Sequence, residues 1–118
     1  MDSNLFHYRA VVTSVYDGDT CTVDIDLGLK IWLRGEKLRL FGINAPEMRG
    51  PEKIAGRKSR DYLRSLIDGQ EIVIKSHRDK KGKYGRYLAE LFLQQDDGKW
   101  LDINQNLVDQ GFAVHKMY

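Results

Sequence analysis

The sequence predicts a mainly β domain in which helices pack against a small, strongly curved sheet. Apolar and polar residues alternate in several short stretches, most clearly in residues 20–28, and such alternation is typical of strands with one buried face. Turn residues separate these stretches from one another. Two segments have a helical spacing of apolar residues. The longer one follows the first group of strands, and the shorter one follows the second group. Together these observations favour an α+β or mainly β fold.

The predicted strands form two groups on either side of the longer helix. They are residues 7–16, 20–28, 29–33 and 38–43 before the helix, and residues 71–77 and 87–94 after it. The second strand has four apolar side chains on one face: Cys21, Val23, Ile25 and Leu27. Gly28 marks the turn that leads to its hairpin partner.

A second turn is predicted at residues 34–37, where the sequence reads RGEK. In the strand that follows, Leu38 and Leu40 are two residues apart and would both face the core. Side chains alternate between the faces of a strand, so Arg39 would point to the other side.

The longer helix is predicted over residues 53–67, with Pro51 near its first turn and Gly69 after its end. Its inner stripe would consist of Ala55, Ser59, Tyr62, Leu63, Leu66 and Ile67. Three arginines spaced three and four residues apart would share its outer face: Arg57, Arg60 and Arg64.

The order of these elements favours a five-stranded barrel of the OB type with packed helices, a partly open barrel often used on nucleic acids. Residues 103–110 are the shorter helix, and Gly111 ends it. A chain of 118 residues is large enough for one hydrophobic core, so we expect residues 1–118 to form a single domain.

Composition excludes several protein classes. No apolar run approaches the ~20 residues that a membrane-spanning helix needs, and the N-terminal residues do not resemble a secretory signal. Cys21 has no second cysteine with which to form a disulfide. We therefore expect a cytoplasmic protein that does not enter membranes, and a monomer is the simplest expectation.

The distribution of charge is more informative than the net charge of +2. Residues 75–86 hold six Lys and Arg residues against one Asp, and the longer helix adds further basic residues. This asymmetry fits a basic face that binds polyanions. A solvated helix face and a soluble hairpin tip would give the same pattern, so both interpretations stay open.

Three short motifs carry candidate functional residues, and each has an ordinary structural alternative. In YDGDTCTVDID, Asp17 and Asp19 flank a glycine at the start of a strand, where oxygen ligands suit a hard cation; an Asp-Gly turn is the alternative. In DKKGKYGRYLAELF, Arg86 precedes a strand and suits bidentate phosphate binding. The neighbouring glycines also fit a plain hairpin.

The remaining motif is LRLFGINAPE, in which Arg39 is followed after five residues by Asn44 and after eight by Glu47. Pro46 restricts Ala45 to an extended conformation and would fix the direction of the segment that follows. The alternative is a strand end with an exposed glutamate and an arginine whose stem covers apolar surface.

Taken together, the three motifs resemble the staphylococcal nuclease (thermonuclease) family. Asp-Gly-Asp-Thr on an early strand, Arg-x-x-x-x-[DN]-x-P-E, and Lys-Tyr-Gly-Arg ahead of a strand occur in this order, and the resemblance covers residues 8–116. It implies an OB-type barrel with packed helices. We expect the last long helix of the family to be absent here.

The resemblance also implies an activity: Ca²⁺-dependent endonucleolytic hydrolysis of phosphodiester bonds in DNA and RNA that leaves 3′-phosphates. The implied catalytic residues are Glu47 as the general base and two arginines on the scissile phosphate, Arg39 and Arg86. The implied metal ligands are Asp19, Asn44 and the backbone carbonyl of Ala45, with Asp17 in the outer shell. Lys83 and Tyr84 match positions near a terminal phosphate of the substrate.

Asn44 departs from the best-known pattern, which has Asp at this position. An amide oxygen still ligates Ca²⁺ but carries no charge, and ligand charge tunes calcium affinity. We therefore expect a weaker Ca²⁺ site. The alternative function is a nucleic-acid or protein binding module on the same fold with little or no catalysis.

Overall fold

The computed structural model describes residues 6–81 and 86–117, which form strands and two helices. The strands are β1 (His7–Asp17), β2 (Thr20–Asp26), β3 (Trp32–Leu40), β4 (Ile43–Asn44), β5 (Glu71–Lys81), β6 (Tyr87–Gln94), β7 (Trp100–Asp102) and β8 (Val114–His115). The helices are α1 (Lys53–Ile67), which a 3₁₀ turn (Gly50–Glu52) precedes, and α2 (Ile103–Asp109). Neither helix in this part of the chain has the length and apolarity needed to cross a bilayer.

Five of the strands close into a barrel. Antiparallel pairing runs in the order β3-β2-β1-β5-β6, and a parallel pairing of β3 with β6 joins the two ends. Closure leaves no open edge between these strands. Strand β7 extends β6, and β4 pairs with β8 outside the barrel. The predicted OB-type fold is confirmed.

The core lies inside the barrel and beneath the two helices. Cys21, Val23 and Ile25 are buried as the alternation predicts, whereas Leu27 lies beyond the end of β2 and is exposed. Leu38 and Leu40 are buried as well. Leu63 and Ile67 from α1, with Ile103 and Leu107 from α2, complete the same cluster.

The predicted turn at residues 34–37 is wrong, because these residues lie inside β3. Gly35 adopts a left-handed φ of 67° within the strand, and the register with β2 shifts between Val23 and Ile25. The Asp24 carboxylate accepts hydrogen bonds from the Gly35 backbone N–H (2.9 Å) and from Arg34 (3.1 Å). These bonds hold an irregular strand together and lower the pKa of Asp24. A glycine that looks like a turn is thus a β-bulge.

The longer helix has the predicted bounds, but its inner face differs from the predicted stripe by one residue. Ala55 is exposed, and Gly56 is buried together with Ser59, Leu63 and Ile67. The helix approaches the segment after β4 so closely that its first inner position has no room for a side chain.

A buried asparagine links α2 to the barrel. The Asn104 side chain accepts a hydrogen bond from the Leu91 N–H (3.1 Å) and donates to the carbonyl oxygens of Phe41 (3.0 Å) and Ala89 (3.1 Å). It therefore satisfies backbone groups of β6 and of the β3–β4 connection, the connection that leads towards Asn44.

Replacing Asn104 with alanine should lower the free energy of unfolding by about 3 kcal/mol, because buried backbone groups lose their hydrogen-bond partners. Urea denaturation measures this change. Gln105→Ala, one residue further along the same helix but exposed, should cost less than about 0.5 kcal/mol. Equal, small losses in the two variants would contradict the structural role of Asn104.

Candidate functional site

The turn between β1 and β2 holds two carboxylates. Asp17 Oδ1 accepts a hydrogen bond from the Asp19 N–H at 3.0 Å, which is the side-chain-to-backbone bond of an Asp-Gly turn. Asp19 is buried, and its Oδ1 accepts a hydrogen bond from the Thr20 hydroxyl at 3.3 Å. Asp17 therefore has the structural role expected in an Asp-Gly turn, and the same turn holds Asp19 in a defined position.

Arg39, at the end of β3, contacts two of the predicted ligand residues. Its Nη2 lies 3.3 Å from Asp19 Oδ2 and donates a short hydrogen bond to Asn44 Oδ1. Its Nη1 donates to the carbonyl oxygens of Leu40 and Ile43, at 2.9 Å each. The guanidinium is therefore anchored by the backbone and bridges the oxygens of Asp19 and Asn44.

The segment after β4 is attached to the β1–β2 turn. The Ala45 N–H donates a hydrogen bond to Asp19 Oδ2 at 2.8 Å. A Cβ atom on Gly18 would lie 2.7 Å from the Cβ atoms of Ala45 and of Ser59 on α1. Glycine is thus required at position 18, because the turn, the segment and the helix meet there.

Helix α1 contacts the same segment further along. A Cβ atom on Gly56 would lie 2.2 Å from the carbonyl oxygen of Glu47 and 3.0 Å from that of Pro46. The close approach fixes the backbone from which the exposed Glu47 side chain extends. The sequence placed Ser59 on the inner face of the helix, but it did not predict the close approaches at Gly18 and Gly56, because no local pattern signals a contact between distant segments.

Arg86 reaches the site from the start of β6. Its Nη1 donates to the Thr20 hydroxyl at 3.3 Å, and Thr20 in turn contacts Asp19. The two predicted neighbours of Arg86, Lys83 and Tyr84, lie outside the described residues.

These elements enclose a cleft of about 950 Å³. Every predicted site residue that the structure describes lines it: Asp17, Asp19, Arg39, Asn44, Ala45, Glu47 and Arg86. Tyr16, Glu52 and Lys116 line it too, although their sequence context did not mark them. Lys116 is brought there by the pairing of β8 with β4, a long-range contact that the sequence alone does not reveal.

Burial and charge affect the titration of groups near the cleft. Burial, with a further contribution from the Asp19 carboxylate, raises the pKa of Asp17 to about 6. Burial, with a smaller effect of Asp17, raises the pKa of the Cys21 thiol to about 12. A thiol with that pKa stays protonated at neutral pH, so Cys21 is not a nucleophile.

The oxygen atoms in the cleft are of the type that hard divalent cations prefer. Among the side chains of residues 6–77 and 86–117, no three His, Cys, Asp or Glu residues form a metal-binding group. The oxygens of Asp19 and Asn44 nevertheless converge on one positively charged atom, Nη2 of Arg39. The donor set therefore fits a hard cation in its chemistry, with an amide in place of one carboxylate.

Comparisons with known proteins agree with the fold. Residues 37–118 match the family described as Staphylococcal nuclease homologue. The chain is 30% identical to a thermonuclease of Staphylococcus hyicus over 98% of its own length and 64% of that protein. It is 29% identical to a thermonuclease of Staphylococcus intermedius over 92% of its length and 60% of that protein.

A longer relative has the same similarity over a small part of its length. The chain is 30% identical to the endonuclease YhcR of Bacillus subtilis over 90% of its own residues but only 9% of that protein. The chain thus spans less than two thirds of each of these relatives.

Asp17→Asn should stabilise the fold at pH 7.5 but not at pH 4. The folded state raises the pKa of Asp17 from 3.8 to about 6, so folding takes up protons between these values. The contribution of the Asp17 side chain to the free energy of unfolding therefore falls as the pH rises from about 4 to about 6. Because the side chain is partly solvated, we expect a gain of only about 1 kcal/mol at pH 7.5.

Urea denaturation at both pH values, in EDTA, measures this gain. Asp96→Asn, in the exposed turn before β7, is the matched control and should give the same stability as the unmodified chain at both pH values. A gain from Asp17→Asn of equal size at pH 4 and pH 7.5 would contradict the assigned pKa.

Proposed function

The chain belongs to the staphylococcal nuclease family, and from this premise we propose that it is a Ca²⁺-dependent endonuclease acting on phosphodiester bonds of DNA or RNA. The observation that carries the proposal is the cleft itself. Two arginines, a glutamate and a set of oxygen ligands from distant parts of the chain line one cavity. A purely structural domain would not require these charged and polar groups to line one cavity.

The two arginines would bind the substrate phosphate and stabilise the transition state. A phosphodiester is an anion, and negative charge builds up on its phosphoryl oxygens during attack by water. Arg39 is oriented in advance by the carbonyl oxygens of Leu40 and Ile43. Arg86 is oriented by the Thr20 hydroxyl. Donors that are already oriented need little reorganisation during the reaction.

Glu47 would act as the general base. Its side chain is exposed to the cleft, so water has access to it, while the contact with Gly56 fixes its backbone. The carboxylate would accept a proton from the attacking water. The water oxygen then forms a bond to phosphorus, the bond from phosphorus to the 5′-oxygen breaks, and the leaving oxygen takes up a proton from a solvent water molecule. The products are a 3′-phosphate and a 5′-hydroxyl.

The proposed Ca²⁺ ligands are Asp19, Asn44 and the carbonyl oxygen of Ala45, with Asp17 in the outer shell. When bound, the ion supplies positive charge that offsets the charge on the phosphoryl oxygens. Arg39 contacts the oxygens of Asp19 and Asn44. We propose that the guanidinium exchanges these contacts for the substrate phosphate when cation and substrate bind.

A second candidate function is a binding module that holds nucleic acid without cutting it. The neutral Asn44 and the contact of Arg39 with two ligand oxygens favour this alternative. Cleavage of a labelled single-stranded DNA, with Ca²⁺ or with EDTA, separates the two. The proposed enzyme cuts only with Ca²⁺, whereas a binding module retains the DNA uncut under both conditions.

Glu47→Gln should lower the Ca²⁺-dependent cleavage rate by at least about 100-fold, because an amide cannot accept the proton from water. The readout is the initial rate with saturating single-stranded DNA. Glu52→Gln is the matched control, since Glu52 lines the same cleft but has no proposed role, and its rate should stay within about threefold. Equal rates in the two variants would remove Glu47 from the mechanism.

Asn44→Asp should bind Ca²⁺ about tenfold more tightly, because a charged ligand replaces a neutral one. Calorimetric titration with Ca²⁺ alone measures this without any cleavage. Gln95→Glu is the control for net charge. It adds the same negative charge in the exposed turn after β6, at a residue that does not line the cleft. If the two variants gain equally, position 44 is not a ligand.

A further inference from the structure

We propose that a basic groove beside the cleft binds the stretch of single-stranded nucleic acid that flanks the bond to be cut. The basic groove is a cavity of about 620 Å³ between the β1–β2 hairpin and helix α1, with Tyr16, Lys37, Arg60, Arg64 and Arg86 in its lining. The inference rests on the proposed function for the identity of the polyanion.

The charge of the groove is of one sign. Among the described residues, its lining contains four basic side chains and no aspartate or glutamate. The cleft, in contrast, is lined by Asp17, Asp19, Glu47 and Glu52 as well as by basic residues. A chain of phosphates would be repelled by the carboxylates of the cleft unless a cation is bound there, but it would be attracted along the whole groove.

Two arginines of α1 are directed into the groove by contacts that leave donors for a ligand. Arg64 donates from Nε (3.3 Å) and Nη2 (3.1 Å) to the carbonyl oxygen of Val15. This acceptor is neutral, so it orients the guanidinium without neutralising its positive charge. Arg60 donates from Nε to Asp61, whose side chain is 63% exposed. Such a surface ion pair is weak, and the guanidinium fork suits phosphate oxygens.

The groove is continuous with the cleft, because Tyr16 and Arg86 line both. A strand bound in the cleft would therefore extend into the groove. Tyr16 is 64% exposed at this junction. An exposed aromatic ring beside a line of cations is the arrangement on which bases of single strands stack. Phosphate contacts together with stacking favour single-stranded nucleic acid over an acidic protein.

Fluorescence anisotropy tests the groove in EDTA, where the proposed activity is absent. The probes are labelled oligodeoxythymidylates of about 4 and about 12 nucleotides. Lys37→Ala/Arg60→Ala should weaken binding of the longer probe about tenfold and reduce the slope of log K against log salt by about 1.4, for two lost phosphate contacts. Binding of the shorter probe should weaken as well, because in EDTA the carboxylates of the cleft repel its phosphates.

Arg57→Ala is the matched control. Arg57 is exposed on the same helix and does not line the groove, so its removal should leave the affinity within about twofold of the unmodified chain and the salt slope unchanged. If the double variant binds both probes as the Arg57→Ala variant does, the groove assignment is overturned.

Tyr16 gives a test that does not depend on charge. Tyr16→Ala should weaken binding of the longer probe about fivefold or more with an unchanged salt slope, because stacking releases no counterions, and Tyr16→Phe should restore binding. Failure of phenylalanine to restore binding would overturn the stacking role.

The groove and the proposed function fail separately. Binding in EDTA that depends on Lys37 and Arg60, without any cleavage in Ca²⁺, supports the groove and overturns the nuclease. Cleavage in Ca²⁺ with binding that does not depend on these residues supports the nuclease and overturns the groove.

Discussion

The buried carboxylate of Asp19 is the contact on which the site depends. Its oxygens accept hydrogen bonds from the Thr20 hydroxyl and the Ala45 N–H and face the Arg39 guanidinium. Burial of one charge is costly unless an opposite charge and hydrogen bonds accompany it. The β1–β2 turn, the end of β3 and the segment after β4 therefore hold one another in place, and the same contacts that stabilise the site also define its geometry.

Close backbone packing makes this arrangement rigid. Gly18 and Gly56 allow the turn and helix α1 to approach the segment of residues 45–47 more closely than any side chain would permit. The Ser59 hydroxyl, on the same helix face, donates a hydrogen bond to the Phe112 carbonyl oxygen. The helix thus serves as the support against which Glu47 is positioned, and site geometry is linked to the fold rather than to a mobile loop.

The barrel could be predicted because each of its strands and helices has a recognisable pattern within a short stretch of sequence. Alternation in the hairpin and the two helical segments each reveal their structure within a few residues. The predicted turn at residues 34–37 failed for the opposite reason: Gly35 is kept in a strand by Asp24, across the β2–β3 pair. Likewise, the inner stripe of α1 was misread at Ala55, because the choice of Gly56 depends on a backbone distant in sequence. The meeting of the three motifs in one cleft could not be predicted locally, because it depends on pairings between distant strands that close the barrel.

The neutral Asn44 would weaken two interactions of the proposed site, because it lacks the charge of an aspartate. An aspartate there would attract a divalent cation more strongly, but it would also pair with the Arg39 guanidinium, which already faces Asp19. Coulomb attraction between close charges is strong where water is partly excluded. In the proposed site, an amide would hold a cation less strongly and would also hold Arg39 less strongly. The side chain that would lower metal affinity would also make it easier for this arginine to turn to a phosphate, so the neutral Asn44 does not by itself argue against the proposed catalysis.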